Sequence, residues 1–299
     1  MPAATPREIA QSKGAGGSPL VMVTAYDAPF AGIAGEAGID MVLVGDTVGM
    51  VVLGMSDTLG VGMREMEHHT RAVARGKPGV LIVADMPWLS YEIDAAEAVR
   101  NAGRLLKAGA GAVKVEGCRP DLVSTLVGTG IPVMGHLGLT PQSVHTMGGY
   151  RVQGSDVDSA SELVDSARVL AEAGCFALVL EGVPSDVGDL VTRSCPVPVI
   201  GIGAGPACDG QVLVLHDLLG MGDADPSAPR PRFVRRYADV GALAVRALRQ
   251  YADDVRNGEF PGPSESYSAR GPLADWVKAR LGVTATGHDV DDASAVGAD

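Results

Sequence analysis

The sequence predicts an α/β fold in which eight parallel strands alternate with helices and close into a (β/α)8 TIM barrel. Three observations predict this fold: a segment pattern that occurs three times, five more strand signals between the repeats, and stretches of helical length that separate the strands. The chain has 299 residues and 46% hydrophobic content, which excludes a disordered protein and suffices for one large barrel.

The repeated pattern occupies Glu36–Asp46, Lys107–Gly117 and Glu172–Gly182. Each copy contains the end of a helix, a glycine, an aliphatic run and a carboxylate. The glycine ends the helix because it adopts the left-handed conformation without side-chain cost, and the aliphatic run is typical of a buried parallel strand. The copies begin 71 and 65 residues apart, which leaves space for another strand and helix between them.

Further aliphatic runs bring the strand count to eight. They lie at Leu20–Thr24, Val80–Asp85, Pro132–His136, Pro198–Gly203 and Gln211–His216. Helical spacing is found at 27–38, 63–76, 94–108, 120–128, 158–173, 185–194 and 231–256. The alternative is a doubly wound sheet, but Thr24–Asp27 stands where a dinucleotide fold would carry its glycine-rich turn.

The barrel is predicted to form a catalytic domain over residues 1–268. Residues 269–299 are predicted to form an extension with a short helix near 272–281 and a disordered tail from Gly287, where the sequence is rich in acidic and small residues.

Charge and composition restrict the classes of partner. The net charge of −12 argues against binding to nucleic acid or an anionic membrane surface and favours small-molecule substrates. The four cysteines have no C-x-x-C spacing, and the most apolar window, 38–54, contains two aspartates and several glycines. We therefore expect no zinc site, no disulfide framework, no membrane helix and no signal peptide, and we expect a cytoplasmic location.

The active site of such a barrel lies at the carboxyl ends of its strands. In chain order the predicted strand ends present Asp46, Asp85, Lys114, Glu116, His136, Glu181, the glycines of Gly201–Gly205, and His216 with Asp217.

Asp46 and Asp85 follow neighbouring strands and suit Mg²⁺, which takes few protein carboxylates and keeps positions for water and substrate oxygens. Glu116 completes this site either directly or through water. The alternative is that each aspartate caps the helix that follows it.

Lys114 supplies a positive charge for an anionic substrate, or forms a Schiff base if it is held neutral; a structural salt bridge is the alternative. His136 either donates a hydrogen bond to a substrate oxygen or is a satisfied core histidine.

Three features are less specific. Gly201–Gly205 resembles a phosphate loop but is equally explained by close backbone packing. His68 and His69 lack a metal-ligand spacing and indicate a solvated helix face. The long segment Leu137–Gly154 suggests a mobile lid, with a structural or oligomer-contact role as the alternative.

Several motifs of the chain form a specific pattern: Val23–Asp27, Val44–Gly54, Val83–Pro87, Val113–Gly117, Val133–Gln142, Leu180–Glu181 and Gly201–Pro206 with Asp209–Gln211. On these motifs the chain resembles the ketopantoate hydroxymethyltransferase (3-methyl-2-oxobutanoate hydroxymethyltransferase) family over about Arg7 to Tyr267.

The resemblance implies a barrel of the phosphoenolpyruvate/pyruvate type, Mg²⁺, and a homodecamer. It implies transfer of a hydroxymethyl group from 5,10-methylenetetrahydrofolate to 3-methyl-2-oxobutanoate, giving 2-dehydropantoate and tetrahydrofolate in pantothenate biosynthesis. It also implies metal ligation by Asp46, Asp85 and Glu116, keto-acid binding by Asp46, Thr47, Asp85 and Lys114, and proton abstraction by Glu181.

Three departures from the family pattern stand out: Thr47 replaces a usual serine, Gly182 replaces a frequent cysteine, and the tail beyond about Ala269 has no counterpart. Two rival functions are a carbon–carbon lyase on the same barrel and a binding or assembly protein that has lost catalysis. The intact set of Asp46, Asp85, Lys114 and Glu181 argues against the second rival.

Overall fold

The computed structural model describes residues 4–14, 16–222 and 231–282. The chain divides into two compact units, Met1–Gly241 and Ala242–Asp299. Among the residues described, no helix is both long and apolar enough to span a bilayer.

The first unit contains eight parallel strands that pair in sequence order and close through β8 against β1, which confirms the predicted (β/α)8 barrel. The strands are β1 Leu20–Thr24, β2 Met41–Val44, β3 Leu81–Asp85, β4 Ala112–Glu116, β5 Val133–Gly138, β6 Ala177–Glu181, β7 Val199–Ile202 and β8 Gly210–Leu213. Most of these strand residues are buried, because the interior covers one face of the sheet and the helices cover the other.

Ten helices of this unit are described. They are α1 Pro6–Gln11, α2 Ala28–Glu36, α3 Val48–Val51, α4 Met63–Arg75, α5 Ala95–Ala108, α6 Pro120–Gly128, α7 Val144–Met147, α8 Val157–Glu172, α9 Ser185–Ser194 and α10 Leu215–Leu219. The larger helices lie where the amphipathic spacing predicts them, whereas α1, α3, α7 and α10 were not predicted.

Apolar side chains form two cores. One lies inside the barrel and includes Met41, Val83, Met134 and Ile200. The other lies between the sheet and the helices and includes Leu105, Leu126 and Leu170. These cores fix the strands on both sides, so side chains at the strand ends are held on a rigid frame.

Two predicted elements are wrong in extent. The last strand does not reach His216, because it ends at Leu213 and α10 begins at Leu215, whose backbone N–H donates to Thr24 Oγ1 at 3.0 Å. The helix predicted to begin at residue 231 begins at Val240. Residues 231–239 form irregular structure instead, in which Tyr237 N donates to Leu218 O at 2.8 Å.

The second unit contains most of α11, Val240–Asn257, a short 3₁₀ helix at Pro263–Glu265, and α12, Pro272–Leu281. Helix α12 occupies the range in which the sequence indicates a short helix. The predicted tail from Gly287 lies outside the described residues, and the domain boundary at residue 268 stays a prediction.

Candidate active site

A cavity opens at the carboxyl ends of the strands and contains all seven predicted site residues. Its lining residues are Thr24, Leu43, Asp46, Thr47, Asp85, Lys114, Glu116, His136, Pro141, Val179, Glu181, Ile202, Val212 and Val214. All eight strands of the barrel, with three of the loops after them, therefore contribute residues to one site.

Lys114 and Asp85 lie side by side on neighbouring strands, because β3 and β4 pair with these two residues in register. Lys114 Nζ is 3.1 Å from Asp85 Oδ1, and both side chains are almost completely buried. Burial favours the neutral amine, but the charges of Asp85, Glu116 and Asp46 outweigh it and raise the pKa of Lys114. Lys114 is therefore an ammonium group, which favours charge neutralisation over Schiff-base chemistry.

Asp46 follows β2 by two residues and is tied to Asp85. Its backbone N–H donates to Asp85 Oδ2 at 3.0 Å, and its own Oδ2 accepts from Gln142 Nε2 at 2.8 Å. Burial, followed by repulsion from Asp85 and Glu116, raises the pKa of Asp46 well above the ordinary value for an aspartate. The site thus gathers more negative charge than Lys114 alone offsets.

Glu116 and Glu181 lie on either side of His136. His136 Nδ1 is 3.1 Å from Lys114 Nζ and 3.4 Å from Glu116 Oε1, while its Nε2 is 3.3 Å from Glu181 Oε2 without an aligned hydrogen bond. Because the ammonium group of Lys114 only donates, Nδ1 is assigned as the acceptor and the ring proton is placed on Nε2. That proton points towards the side of the cavity where Glu181 lies.

No group of three or more His, Cys, Asp and Glu side chains within the described ranges is arranged to hold a metal ion. Glu116 directs Oε2 to the backbone N–H of Gln142 at 3.0 Å and lies near His136 with Oε1. A cation site in this cavity would therefore have Asp46 and Asp85 as its protein carboxylates. Two carboxylates completed by water and substrate oxygens are a usual donor set for Mg²⁺.

Thr47 directly precedes the short helix α3, and its side chain makes no capping hydrogen bond to that helix. Thr47 lines the cavity wall beside Asp46. The opposite wall is apolar and was not anticipated from the sequence. It is formed by Val179, Ile202 and Val212. Because strand residues two positions apart point to the same face, Val179 could have been predicted from the position of Glu181.

Sequence reasoning also gave no role to Gln142 and Tyr91. Gln142 lies in the 3₁₀ turn Pro141–Ser143, and Tyr91 lies in the loop after β3. Tyr91 Oη donates to Gln142 Oε1 at 2.6 Å, so these two loop residues connect directly. The only sequence signal was a glutamine that directly follows Thr140-Pro141 at the start of a long loop.

Other candidate residues do not join this cavity. His216 and Asp217 lie on α10 instead of at a strand end, and His216 packs against the Tyr26 ring with 5.7 Å between centroids. His68 is exposed as predicted, but His69 is partly buried, and its Nδ1 lies 2.8 Å from Tyr26 O, so the solvated-face prediction is wrong for His69. His69 packs there because it lies on the side of α4 that faces the end of β1.

Close packing accounts for the glycines of Gly201–Gly205. A Cβ atom at Gly203 would lie 2.6 Å from the Phe233 ring, and one at Gly205 would lie 2.7 Å from Ser185 Cβ. Both glycines also have positive φ, which side chains disfavour. The structure thus supports the packing explanation over a phosphate loop.

The fold is shared with solved structures of low sequence identity. Phosphoenolpyruvate phosphomutase from Streptomyces platensis subsp. rosaceus matches with a TM-score of 0.55 at 16% identity, covering 93% of this chain and 96% of that one. Phosphonopyruvate hydrolase, solved with oxalate and Mg²⁺, matches with a TM-score of 0.54 at 15% identity, covering 88% and 93%. Fold and site together define a (β/α)8 barrel with a charged cavity at the carboxyl ends of its strands.

The family model for ketopantoate hydroxymethyltransferase matches residues 3–263. The 3-methyl-2-oxobutanoate hydroxymethyltransferase of Syntrophobacter fumaroxidans (strain DSM 10017 / MPOB) is 53% identical over 263 residues, which are 87% of this chain and 91% of that protein. The chain belongs to the ketopantoate hydroxymethyltransferase family.

Proposed function

We propose that this enzyme transfers a hydroxymethyl group from 5,10-methylenetetrahydrofolate to 3-methyl-2-oxobutanoate, giving 2-dehydropantoate and tetrahydrofolate in pantothenate biosynthesis. The relative from Syntrophobacter fumaroxidans carries the name of this activity. The observation that carries the proposal is a cavity with a buried, charged wall opposite an apolar wall. An α-keto acid with a branched alkyl group has the same two halves.

Mg²⁺ is the metal we propose for this site, held by Asp46 and Asp85, with Glu116 contributing through water. The cavity wall contains four carboxylates and the single ammonium group of Lys114. An anionic keto acid would be repelled from such a wall unless a cation offsets the charge. Bound there, Mg²⁺ supplies charge stabilisation for an enolate, which is worth several kcal/mol.

Different residues around the cavity bind different parts of the substrate. Thr47 donates its hydroxyl to the substrate carboxylate, and the Lys114 ammonium group offsets the negative charge of the substrate. His136 donates Nε2–H to a substrate oxygen, consistent with that buried nitrogen having no aligned partner among the described residues. Val179, Ile202 and Val212 pack against the branched alkyl group, which orients the reacting carbon towards Glu181.

Glu181 accepts the proton from the branched carbon beside the ketone. It lies on β6, on the opposite side of the eight-stranded barrel from β2 and Asp46, and its side chain is 16% exposed. The carbon that loses the proton then bonds to the methylene carbon of the folate. Both bonds from the methylene carbon to folate nitrogens break: one as the new carbon–carbon bond forms, and the other as water supplies the oxygen of the new hydroxyl group. The proton taken from the keto acid and one proton of the water end on the two nitrogens of tetrahydrofolate.

The activity test combines the purified enzyme with 3-methyl-2-oxobutanoate, 5,10-methylenetetrahydrofolate and Mg²⁺ and follows 2-dehydropantoate by mass spectrometry. We expect formation of this product to require all three components. Consumption of the keto acid without folate would instead indicate a carbon–carbon lyase on the same barrel. No product under any of these conditions would contradict the proposal.

We also propose that the protein is a homodecamer, as the family resemblance implies, and that it is cytoplasmic, as the cysteine spacing indicates. Light scattering coupled to size-exclusion chromatography should give the mass of a decamer. A monomeric mass at micromolar concentration would contradict this part of the proposal.

A further inference from the structure

Gln142 is the point at which three strand ends of the site are joined. Its Nε2 donates to Asp46 Oδ2 at 2.8 Å and to Met86 O at 3.0 Å, so one amide group connects the loops after β2 and β3. Its backbone N–H donates to Glu116 Oε2 at 3.0 Å, which adds the end of β4. The residue itself is 7% exposed, so these bonds form away from water.

These contacts occupy one oxygen of each carboxylate. Asp46 Oδ2 and Glu116 Oε2 are held by Gln142, while the second oxygen of each carboxylate is left for other partners. For Glu116 that second oxygen faces His136 Nδ1 at 3.4 Å. Gln142 therefore sets the rotation of the Asp46 carboxylate and determines which of its oxygens is available to a cation.

Tyr91 fixes the orientation of the Gln142 amide. The Tyr91 hydroxyl accepts from Glu116 N at 3.2 Å and donates its one proton to Gln142 Oε1 at 2.6 Å. Because Oε1 accepts this proton, the amide NH₂ group must face Asp46.

The loop that carries Tyr91 is itself anchored. Asn101 Nδ2, on α5, donates to Ser90 O at 2.8 Å, and the guanidinium group of Arg119 lies over the Tyr91 ring with 5.4 Å to the centroid. The Tyr91 hydroxyl is thus held at a fixed distance from Gln142 by contacts on both sides.

We propose that Gln142, oriented by Tyr91, is a positioning residue that sets the affinity of Asp46 and Asp85 for a divalent cation. This inference rests on the metal site of the proposed function. It concerns how strongly the site binds the cation, whichever substrate the enzyme uses. Partners that orient metal ligands in this way typically change metal affinity or activity by about 10- to 100-fold when they are removed.

The test measures binding of Mg²⁺ alone by calorimetry, and of Mn²⁺ by electron paramagnetic resonance, in the absence of keto acid and folate. Gln142→Met keeps the side-chain length and the backbone bond to Glu116 but removes the bond to Asp46. We expect its dissociation constant for both ions to rise about 10- to 100-fold. Tyr91→Phe keeps the ring and removes only the hydroxyl, so we expect a rise in the same direction but smaller.

Gln153→Met is the matched control, because Gln153 lies in the same loop and, among the described residues, its side chain bonds only to Arg151 O, at 2.9 Å. We expect this variant to bind both ions as the wild type does. Circular dichroism and thermal unfolding check that each variant is folded. In the transfer assay, excess Mg²⁺ should restore the turnover of Gln142→Met, which it would not do for a damaged fold.

A folded Gln142→Met variant that binds Mg²⁺ with wild-type affinity would overturn the inference. If this variant does not fold, Tyr91→Phe decides in the same way, since wild-type affinity there would also overturn it. Failure of the proposed function has a different signature: the wild type would bind Mg²⁺ tightly but make no 2-dehydropantoate. The metal comparison between variants would still be valid in that case.

Discussion

The two halves of the cavity differ in the charge of the side chains that line them. Strands β2 to β5 bring Asp46, Asp85, Lys114, Glu116 and His136 into a buried network of short polar contacts. Strands β6 to β8 supply a mainly apolar wall with one carboxylate, Glu181. The same fold thus produces a polar half and an apolar half by changing only the residues at the strand ends.

This difference indicates that the two halves of the cavity have different roles. Buried charges are costly unless they are paired, so a network of this density is retained where it binds charged groups. A wall of valine and isoleucine contributes burial of alkyl surface and keeps water away from a single carboxylate. Under the proposed function, the polar half holds the cation and the carboxylate and ketone of the keto acid, while the apolar half holds the alkyl group and presents the base.

Removing the metal site should produce the largest effect on the polar half. We expect the double variant Asp46→Asn, Asp85→Asn to lose Mg²⁺ binding and about 10³-fold or more in turnover, because the charge stabilisation of the enolate is lost. Calorimetry and the transfer assay measure the two effects. A chelator should abolish wild-type turnover and Mg²⁺ should restore it, whereas a double variant with wild-type binding and turnover would show that the metal assignment is wrong.

A pair of nearly isosteric swaps compares the two halves directly. Thr47→Val removes a hydroxyl from the polar wall, and Val212→Thr adds one to the apolar wall. We expect each to raise KM for 3-methyl-2-oxobutanoate about 10-fold, since an unpaired buried hydroxyl or a lost hydrogen bond costs about 1–3 kcal/mol.

The two substitutions should have different effects on KM for a keto acid that lacks the branched alkyl group. Pyruvate should show a smaller effect of Val212→Thr than of Thr47→Val, because it keeps the carboxylate and lacks the isopropyl group. Equal effects of both swaps on both substrates would remove the distinction between the walls.

The smallest expected effect concerns the loop after β5. Gln142 anchors its first part, so the predicted closure over substrate is confined to about residues 145–154. Hydrogen exchange in that range should slow when keto acid and Mg²⁺ are added, while exchange at 139–143 should be slow throughout. Unchanged exchange at 145–154 would leave the segment with a structural or oligomer-contact role.

The strands and the main site residues were predictable because their signals are local. Each repeat places a carboxylate at the end of a buried strand or within two residues of it, and a barrel brings the carboxyl ends of all its strands to one face. Asp46, Asp85, Lys114, Glu116, His136 and Glu181 therefore followed from strand position alone.

The remaining features depend on contacts between distant parts of the chain. Gln142 and Tyr91 are 51 residues apart, and only the folded loops bring them into contact. The end of β8 was missed because Val212–Leu215 is continuously apolar and contains no turn residue to mark its limit. Helix α11 begins later than predicted because residues 231–239 pack against the barrel, where Phe233 meets Gly203.

The central claim is that Glu181, on the apolar side, removes a proton from a keto acid held by the polar side. The most direct measurement is exchange of the 3-position hydrogen of 3-methyl-2-oxobutanoate with heavy water, followed by NMR without folate. Glu181→Gln should retain keto-acid and Mg²⁺ binding and lose about 10²-fold or more in exchange rate, because the amide cannot accept the proton. Exchange at the wild-type rate in a variant that no longer transfers the hydroxymethyl group would contradict the claim and assign Glu181 to the folate half of the reaction.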